Sequence, residues 1–299
     1  MLISKFIRRC LLIFPLLVLL PSSCSRNTEA VIDQQQTVVP AKPIKIVTWN
    51  LEWFPGKSTS ASLEEKQEHM EQIRNAISEI DADVYLLQEV ADMDSMEELF
   101  KDLPGYEIHI VSSFRYGNFI AKQQVAVVSR LPAISAFAES FVSTGGTRAP
   151  PRGFSFAALQ TQDTNLLVYT VHLKANGGDP ERNIRLREES ARQIVKHVND
   201  MLKQFPDSLV IVGGDFNLLL TQAGMEHERT LEIFKEAGFE WGWEGVPFEQ
   251  RITWPSNGRY PDACFDMFVT KGVSGENRVL GGYEGLSDHL PVMLNLTFL

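Results

Sequence analysis

Cysteine is nearly absent: the 299-residue chain has three, Cys10, Cys24 and Cys264. The first two fall in what reads as an export leader, so Cys264 alone would remain and an internal disulfide is excluded. Stability must then rest on packing. Long apolar runs are missing as well. The one candidate, Cys10 to Leu20, is shorter than the roughly 20 apolar residues a bilayer-spanning helix needs. Repeats at solenoid or propeller periods are lacking, which favours one continuous globular unit. Positive charge is in deficit too: 28 Lys plus Arg stand against 38 Asp plus Glu, a net of −10. Such an acidic surface argues against non-specific, whole-surface nucleic-acid binding, though not against a local basic cleft.

The amino terminus places Lys5, Arg8 and Arg9 before the apolar run and Pro21-Ser22-Ser23-Cys24 after it. This is the order of a positive region, a short hydrophobic region and a small-residue cleavage site. Residues 1–24 are therefore expected to be a removed export signal, giving a bacterial protein that is periplasmic, attached to the outer membrane or secreted. Cys24, flanked by serines, resembles the acylated cysteine of a lipoprotein, although Pro21 stands where Leu is usual. Ordinary cleavage nearby is the alternative. Loss of the leader's three basic residues leaves 25 basic against 38 acidic, about −13. Residues 25–43, with Gln34-Gln35-Gln36, Pro40 and Pro43, read as a flexible tether. Residues 44–299 read as one folded domain, expected to be monomeric.

Within that domain helical and strand patterns alternate. Ser62-x-x-Glu65 is a capping box opening a helix with the stripe Leu63, Met70, Ile73, Ile77 and Ile80. Ser95-x-x-Glu98 is expected to open a second, bearing Met96, Leu99, Phe100 and Leu103, before Pro104. Further helices are predicted over 181–204 and 226–237, the last closed by Gly238. Short apolar runs at 44–49, 84–87, 125–128, 166–171, 209–212, 265–269 and 292–298 read as buried strands. The fold class is α/β, with two stacked sheets flanked by helices.

Polar residues able to bind metal or move protons stand where these strands stop. Asn50, Glu89, His172, Asp215 and Asn217 each follow an apolar run, and Asp288 with His289 precedes the last. Taken singly, each has a plain structural reading: a strand-end polar group, a turn after Gly213-Gly214, a satisfied core histidine. Their repetition at five or more strand ends is what points to a site built on a rigid scaffold.

The blocks Thr48-Trp49-Asn50, Leu87-Gln88-Glu89, Val171-His172-Leu173, Gly213-Gly214-Asp215-Phe216-Asn217, Phe265-Asp266 and Ser287-Asp288-His289-Leu290-Pro291-Val292 resemble, in order, those of the endonuclease/exonuclease/phosphatase superfamily. The resemblance implies a four-layer sandwich and divalent-metal-dependent hydrolysis of phosphate esters. Mg²⁺ is the expected ion, with Mn²⁺ or Ca²⁺ as alternatives, because hard cations prefer carboxylate oxygens. It further implies Glu89, Asn50 and Asp288 as the metal set. His172 and His289 are then phosphate donors or general acid and base, Asp266 orients His289, Asp215 meets the attacking water, and Asn217 is a neutral phosphate or water ligand.

This chain departs from the pattern in two places. Lys122-Gln123-Gln124 stands where deoxyribonuclease-like members pair the equivalent of His172 with a glutamate, and Cys264-Phe265-Asp266 replaces Arg-Ile-Asp. Arg148 and Arg152 are the candidate substrate contacts, while Arg182, Arg185 and Arg187 are either contacts or a solvated helix face. Nucleic acid is the expected substrate, with Tyr116, Phe119 and Trp254 as stacking surfaces. A phospholipid or sugar phosphate is the alternative, with Trp241-Gly242-Trp243 as an interfacial anchor. A non-catalytic binding lipoprotein is the third reading, and the presence of Glu89, Asp215, Asn217, Asp288 and His289 weighs against it.

Overall fold

The computed structural model describes residues 43–146, 148–220, 225–256 and 258–296. The expected leader, Cys24, the tether up to residue 42 and the end of the last expected strand at 297–298 lie outside the described residues.

In chain order the elements begin with β1 (Ile44–Phe54), α1 (Leu63–Ile80), β2 (Val84–Val90), α2 (Met93–Phe100) and β3 (Glu107–Val111). A small hairpin of β4 (Arg115–Tyr116) and β5 (Phe119–Ile120) follows, then β6 (Gln124–Ser129), β7 (Ala133–Ser140), β8 (Gly153–Gln160) and β9 (Asn165–His172). The chain continues through α3 (Pro180–Gln204), β10 (Leu209–Asp215), α4 (Thr230–Glu236), β11 (Glu240–Trp241), β12 (Asp266–Lys271), β13 (Gly275–Val279) and β14 (Val292–Leu296).

Two six-stranded sheets result, ordered β13-β14-β1-β2-β6-β3 and β11-β12-β10-β9-β8-β7. Each contains one parallel pair, β1 with β2 and β9 with β10. Parallel neighbours need a long crossover, and α1 and α3 supply it. Side-chain alternation then sorts the layers. Val47, Trp49, Tyr85 and Leu87 face outward into a core with Ile73 and Ile77 of α1 and Met96 and Leu99 of α2. Ile46, Val84, Leu86, Val168, Ile211 and Phe268 belong to the other core, which fills the space between the sheets and extends to Ile194 and Val198 of α3 and Phe234 of α4. This is the helix–sheet–sheet–helix sandwich expected.

Some elements differ from the sequence reading, each for a local reason. The α1 capping box forms, with Glu65 N–H donating to Ser62 Oγ at 3.2 Å and Ser62 N–H to Glu65 Oε2 at 2.6 Å. Leu63, however, lies at the exposed first turn, not in the inward stripe. Helix α2 is capped by Asp92, whose Oδ1 accepts Ser95 N–H at 2.9 Å, so it starts earlier than a Ser95 cap allows. Helix α4 begins at Thr230 and not at Glu226, because the preceding turn delivers Glu228 to Arg187. Strands β7 and β13 are partly exposed and so lack a clean apolar run. Strand β8 (GFSFAALQ) is almost wholly buried, but half of it is Gly, Ser and Ala, residues with little strand signal.

Candidate active site

The same alternation that builds the core aims the polar residues. In β1, Ile46, Thr48 and Asn50 share the face toward the second sheet; in β9 so do Val168, Thr170 and His172, and in β10 Ile211, Gly213 and Asp215. One step from the ends, Gln88 Nε2 donates to Thr48 Oγ1 at 3.0 Å and Thr170 Oγ1 at 2.9 Å, a polar bridge between the sheets. Beyond it the strands open, and the last inward residues meet at one mouth. Asp215 lies opposite His172 in β9 and Asp266 in β12. Gly213 and Gly214 permit this approach, since a Cβ at Gly214 would lie 2.0 Å from the Val171 carbonyl oxygen and one at Gly213 would strike the Phe268 ring.

Glu89 breaks the alternation. It follows the inward Gln88 and would point outward in a regular strand. Its φ of +59° and the register shift beside it against β6 turn it into the site. There Glu89 Oε2 accepts Trp53 N–H at 2.9 Å. Asn50 Nδ2 donates to Asp215 Oδ2 at 3.1 Å and more distantly to Glu89 Oε1 at 3.4 Å, while its Oδ1 accepts Glu52 N–H. Asn50 thus stands as a donor spacing two carboxylates.

The histidines have opposite electrostatic settings. His289 Nδ1 lies 2.7 Å from Asp266 Oδ2, both buried. Burial works against charge on His289, but Asp266, Asp215 and Asp288 outweigh it and raise its pKa. Its main chain is pinned from β1, because Trp49 Nε1 donates to the His289 carbonyl at 2.9 Å and Ser287 Oγ to that of Asn50 at 2.7 Å. His172 Nε2 faces Asp215 Oδ2 at 3.4 Å and Glu89 Oε1 at 3.8 Å. Burial, then the charges of Arg152, His289 and Lys174, hold its pKa well below the usual histidine range, so it is neutral. Its Nδ1 is buried and has no hydrogen-bond partner. Gln124, at the point of departure noted in the sequence, instead accepts Ser112 Oγ and Phe114 N–H and donates to the Phe114 and Ala121 carbonyls. Burial first, and then Asp266 and Glu89, push the Asp215 carboxyl upward against the pull of His289 and Asn50.

The other candidates divide. Asn217, at φ +56°, closes a turn in which its N–H donates to Asp215 Oδ1 at 2.9 Å. Asp288 is the exposed member, its Oδ2 accepting Trp254 Nε1 at 3.1 Å. Arg152 donates from Nε and Nη2 to the carbonyls of His172 and Leu173, both at 2.7 Å, and feels Asp215 and Glu89. Arg148 is exposed and takes part in none of the site's hydrogen bonds. Arg187 is not on a solvated helix face: fully buried, it pairs with Glu228 at 2.6 and 2.7 Å and donates to the Lys174 carbonyl and Asn176 Oδ1. Trp243 is buried too, its Nε1 donating to the Asp266 carbonyl at 3.1 Å, which removes it as an interfacial anchor. Tyr116 and Phe119 stand exposed on the small hairpin and do not line the cavity at the site.

Sequence reading missed two positioning residues, Glu52 and Thr253, and gave a third, Trp254, only as a stacking surface. Glu52 Oε2 accepts Asp288 N–H at 3.1 Å, and burial followed by Asp288 raises its pKa. Thr253 Oγ1 accepts both Phe265 and Asp266 N–H. Trp254 holds Asp288. No motif marks Glu52 or Thr253, since each acts through a backbone amide.

Glu89, His172, Asp215, Asn217, Asp288 and His289 border a cavity of about 950 Å³. Among the described residues no three His, Cys, Asp or Glu side chains form a closed metal cage. The donor set is nonetheless what a hard divalent cation accepts: Mg²⁺ takes one or two carboxylates and keeps several waters. Glu89, turned inward by a strained backbone, is the side chain best placed for it, with Asp288 at the open side.

No curated protein matches this chain. Solved structures share its fold at low identity. The chain superposes on TDP2 from Caenorhabditis elegans at 16% identity and TM-score 0.63, over 87% of this chain and 75% of that one. It matches D. rerio TDP2 complexed with single strand DNA product at 17% identity and TM-score 0.63, over 86% and 99% of the two chains. Beta toxin from Staphylococcus aureus matches at 17% identity and TM-score 0.63, over 84% and 99%. The family model for the Endonuclease/Exonuclease/phosphatase family spans residues 47–289, and the chain belongs to that family.

Proposed function

We propose that this protein is an exported, divalent-metal-dependent phosphodiesterase that cuts DNA or RNA endonucleolytically. Members of its family are hydrolases acting on phosphodiester bonds. The observation that carries the reading is the pairing of His289 with Asp266 at 2.7 Å within reach of Asp215 and of Glu89's inward turn. A divalent cation at Glu89 and Asp288 would neutralise charge on the attacked phosphate. His289, kept protonated through Nδ1, presents Nε2–H to a phosphoryl oxygen or leaving group. Asp215, 3.9 Å from that Nε2, is the acceptor for a proton from water. Neutral His172 donates through Nε2, and Asn50 keeps the two carboxylates apart. The cited D. rerio complex holds a single strand DNA product, which supports nucleic acid as the substrate class.

One observation favours a second reading, a lipid phosphodiesterase. Tyr116, Phe119 and Ile120 are 74%, 78% and 58% exposed on one hairpin tip, an apolar patch suited to a lipid surface. Cys24, outside the described residues, is the proposed acyl anchor in either case. The test is hydrolysis of plasmid DNA, RNA oligonucleotide, inositol phosphate and sphingomyelin vesicles with Mg²⁺ and with chelator. Cleavage of nucleic acid but not vesicles is expected; vesicle hydrolysis with intact plasmid would replace the nuclease reading by the lipid one.

A further inference from the structure

One guanidinium in the cavity leaves two of its buried nitrogens without a hydrogen-bond partner. Arg251 follows the turn Phe248–Gln250, with its backbone N–H donating to the Phe248 carbonyl at 3.0 Å. Its side chain lies over the Trp241 ring, 4.9 Å from guanidinium carbon to centroid. It lines the same cavity as Glu89, His172, Asp215 and His289. Its Nε and Nη1 are buried with no hydrogen-bond partner. The contrast is Arg187, which borders the same cavity with its guanidinium engaged by Glu228, Asn176 and a carbonyl. Buried guanidinium donors left without acceptors are costly, and their planar fork matches phosphate oxygens. Stacking on Trp241 fixes the orientation without occupying the donors.

We propose that Arg251 binds the phosphate next to the scissile one in a single nucleic-acid strand. This rests on the phosphodiesterase reading above and assigns the substrate class within it. The cavity that holds Arg251 and the hydrolytic groups is also lined by Phe265, whose ring lies 6.1 Å from that of His289, by Trp254, 5.7 Å from Phe265, and by Tyr260, 6.3 Å from Trp254. Aromatic faces in the same cavity as the phosphate groups suit a stacked base. A phosphocholine headgroup offers no second phosphate, and its quaternary ammonium would meet a like charge at Arg251.

The test compares wild type, Arg251→Met and Arg251→Lys in the full chain. Substrates are thymidine trinucleotide, which has neighbouring phosphates, and thymidine 5′-p-nitrophenyl phosphate, which has one. The ratio of kcat/KM between them should fall about tenfold or more in Arg251→Met, as for loss of a charged hydrogen bond, and recover in part in Arg251→Lys. Two readouts need no turnover. Calorimetric binding of the trinucleotide in chelator should weaken in Arg251→Met, with a salt slope flatter by about 0.7. The Tm of the free Arg251→Met protein should hold or rise, since an unpaired charge is removed, whereas a structural arginine would lower it. An unchanged ratio with unchanged binding overturns the proposal, as does a Tm lowered by several degrees. Wild-type hydrolysis of sphingomyelin vesicles but of neither thymidine substrate overturns both this inference and the nuclease reading. Trinucleotide binding that depends on Arg251 without any hydrolysis would refute only the latter.

Discussion

His69 gives a prediction whose size follows from its surroundings. It is buried in α1, 3% exposed, with Nδ1 accepting Gly56 N–H at 2.9 Å and Nε2 against the Leu286 carbonyl at 2.9 Å. It therefore staples the loop after β1, whose last residues include Glu52 and Trp53, to the loop before Asp288 and His289. Burial first, and then the Lys57 charge, lower its pKa to about 4, against the Leu286 hydrogen bond. A histidine whose folded pKa is depressed stabilises the fold above the unfolded value of about 6.5, and that stability is lost as pH falls toward 4. Over that window the loss integrates to about 3 kcal/mol. At about 2 to 4 °C per kcal/mol for a domain of this size, it is worth about 6 to 12 °C in Tm. Other groups titrate in the same range, so the measurement is the Tm difference between wild type and His69→Gln at pH 7.5 and pH 4. Glutamine can keep both hydrogen bonds but does not ionise. The wild-type protein should lose about 3 kcal/mol relative to the variant on acidification. A difference constant across that window would refute the neutral staple.

Three further predictions concern the site and its supports. His289→Ala should lower kcat/KM at least about a hundredfold in protein that still folds, as for a positioned acid–base group; unchanged turnover removes it from the chemistry. Arg187→Ala should destabilise by about 3 to 5 kcal/mol by stranding Glu228, measured by denaturant unfolding; a change in substrate affinity alone would show that the arginine serves the ligand. Gly214→Ala should fold poorly, because its Cβ would sit 2.0 Å from the Val171 oxygen; a wild-type melting curve would contradict the close packing of β10 on β9.

What the sequence disclosed and what it hid have physical grounds. The central strands are buried on both faces, so they appear as apolar runs, and the period of two that orders them also predicts that Thr48 and Asn50, or Thr170 and His172, share a face. The edges β7 and β13 carry no such signal. Asp215, Asp266 and His289 were legible because each is a side chain in a motif. Glu52 and Thr253 were not, since they work by accepting main-chain amides across long sequence separations. Arginines were read least well: charge alone does not separate Arg187, satisfied inside the protein, from Arg251, whose buried Nε and Nη1 have no hydrogen-bond partner. Trp243 failed as an anchor because a tryptophan flanked by glycine and acidic residues reads as a loop, while its N–H is required beneath Asp266.

Metal dependence assigned to Glu89 is the claim on which the account turns. The measurement is initial rate on an oligonucleotide as Mg²⁺ is restored to chelated protein, for wild type and Glu89→Gln. The account predicts no turnover in chelator, saturable recovery for wild type, and for Glu89→Gln a rate at least about a hundredfold lower or a requirement for far more Mg²⁺, with an unchanged Tm in chelator. Full-rate cleavage in chelator, or a Glu89→Gln curve that overlays wild type, would contradict it.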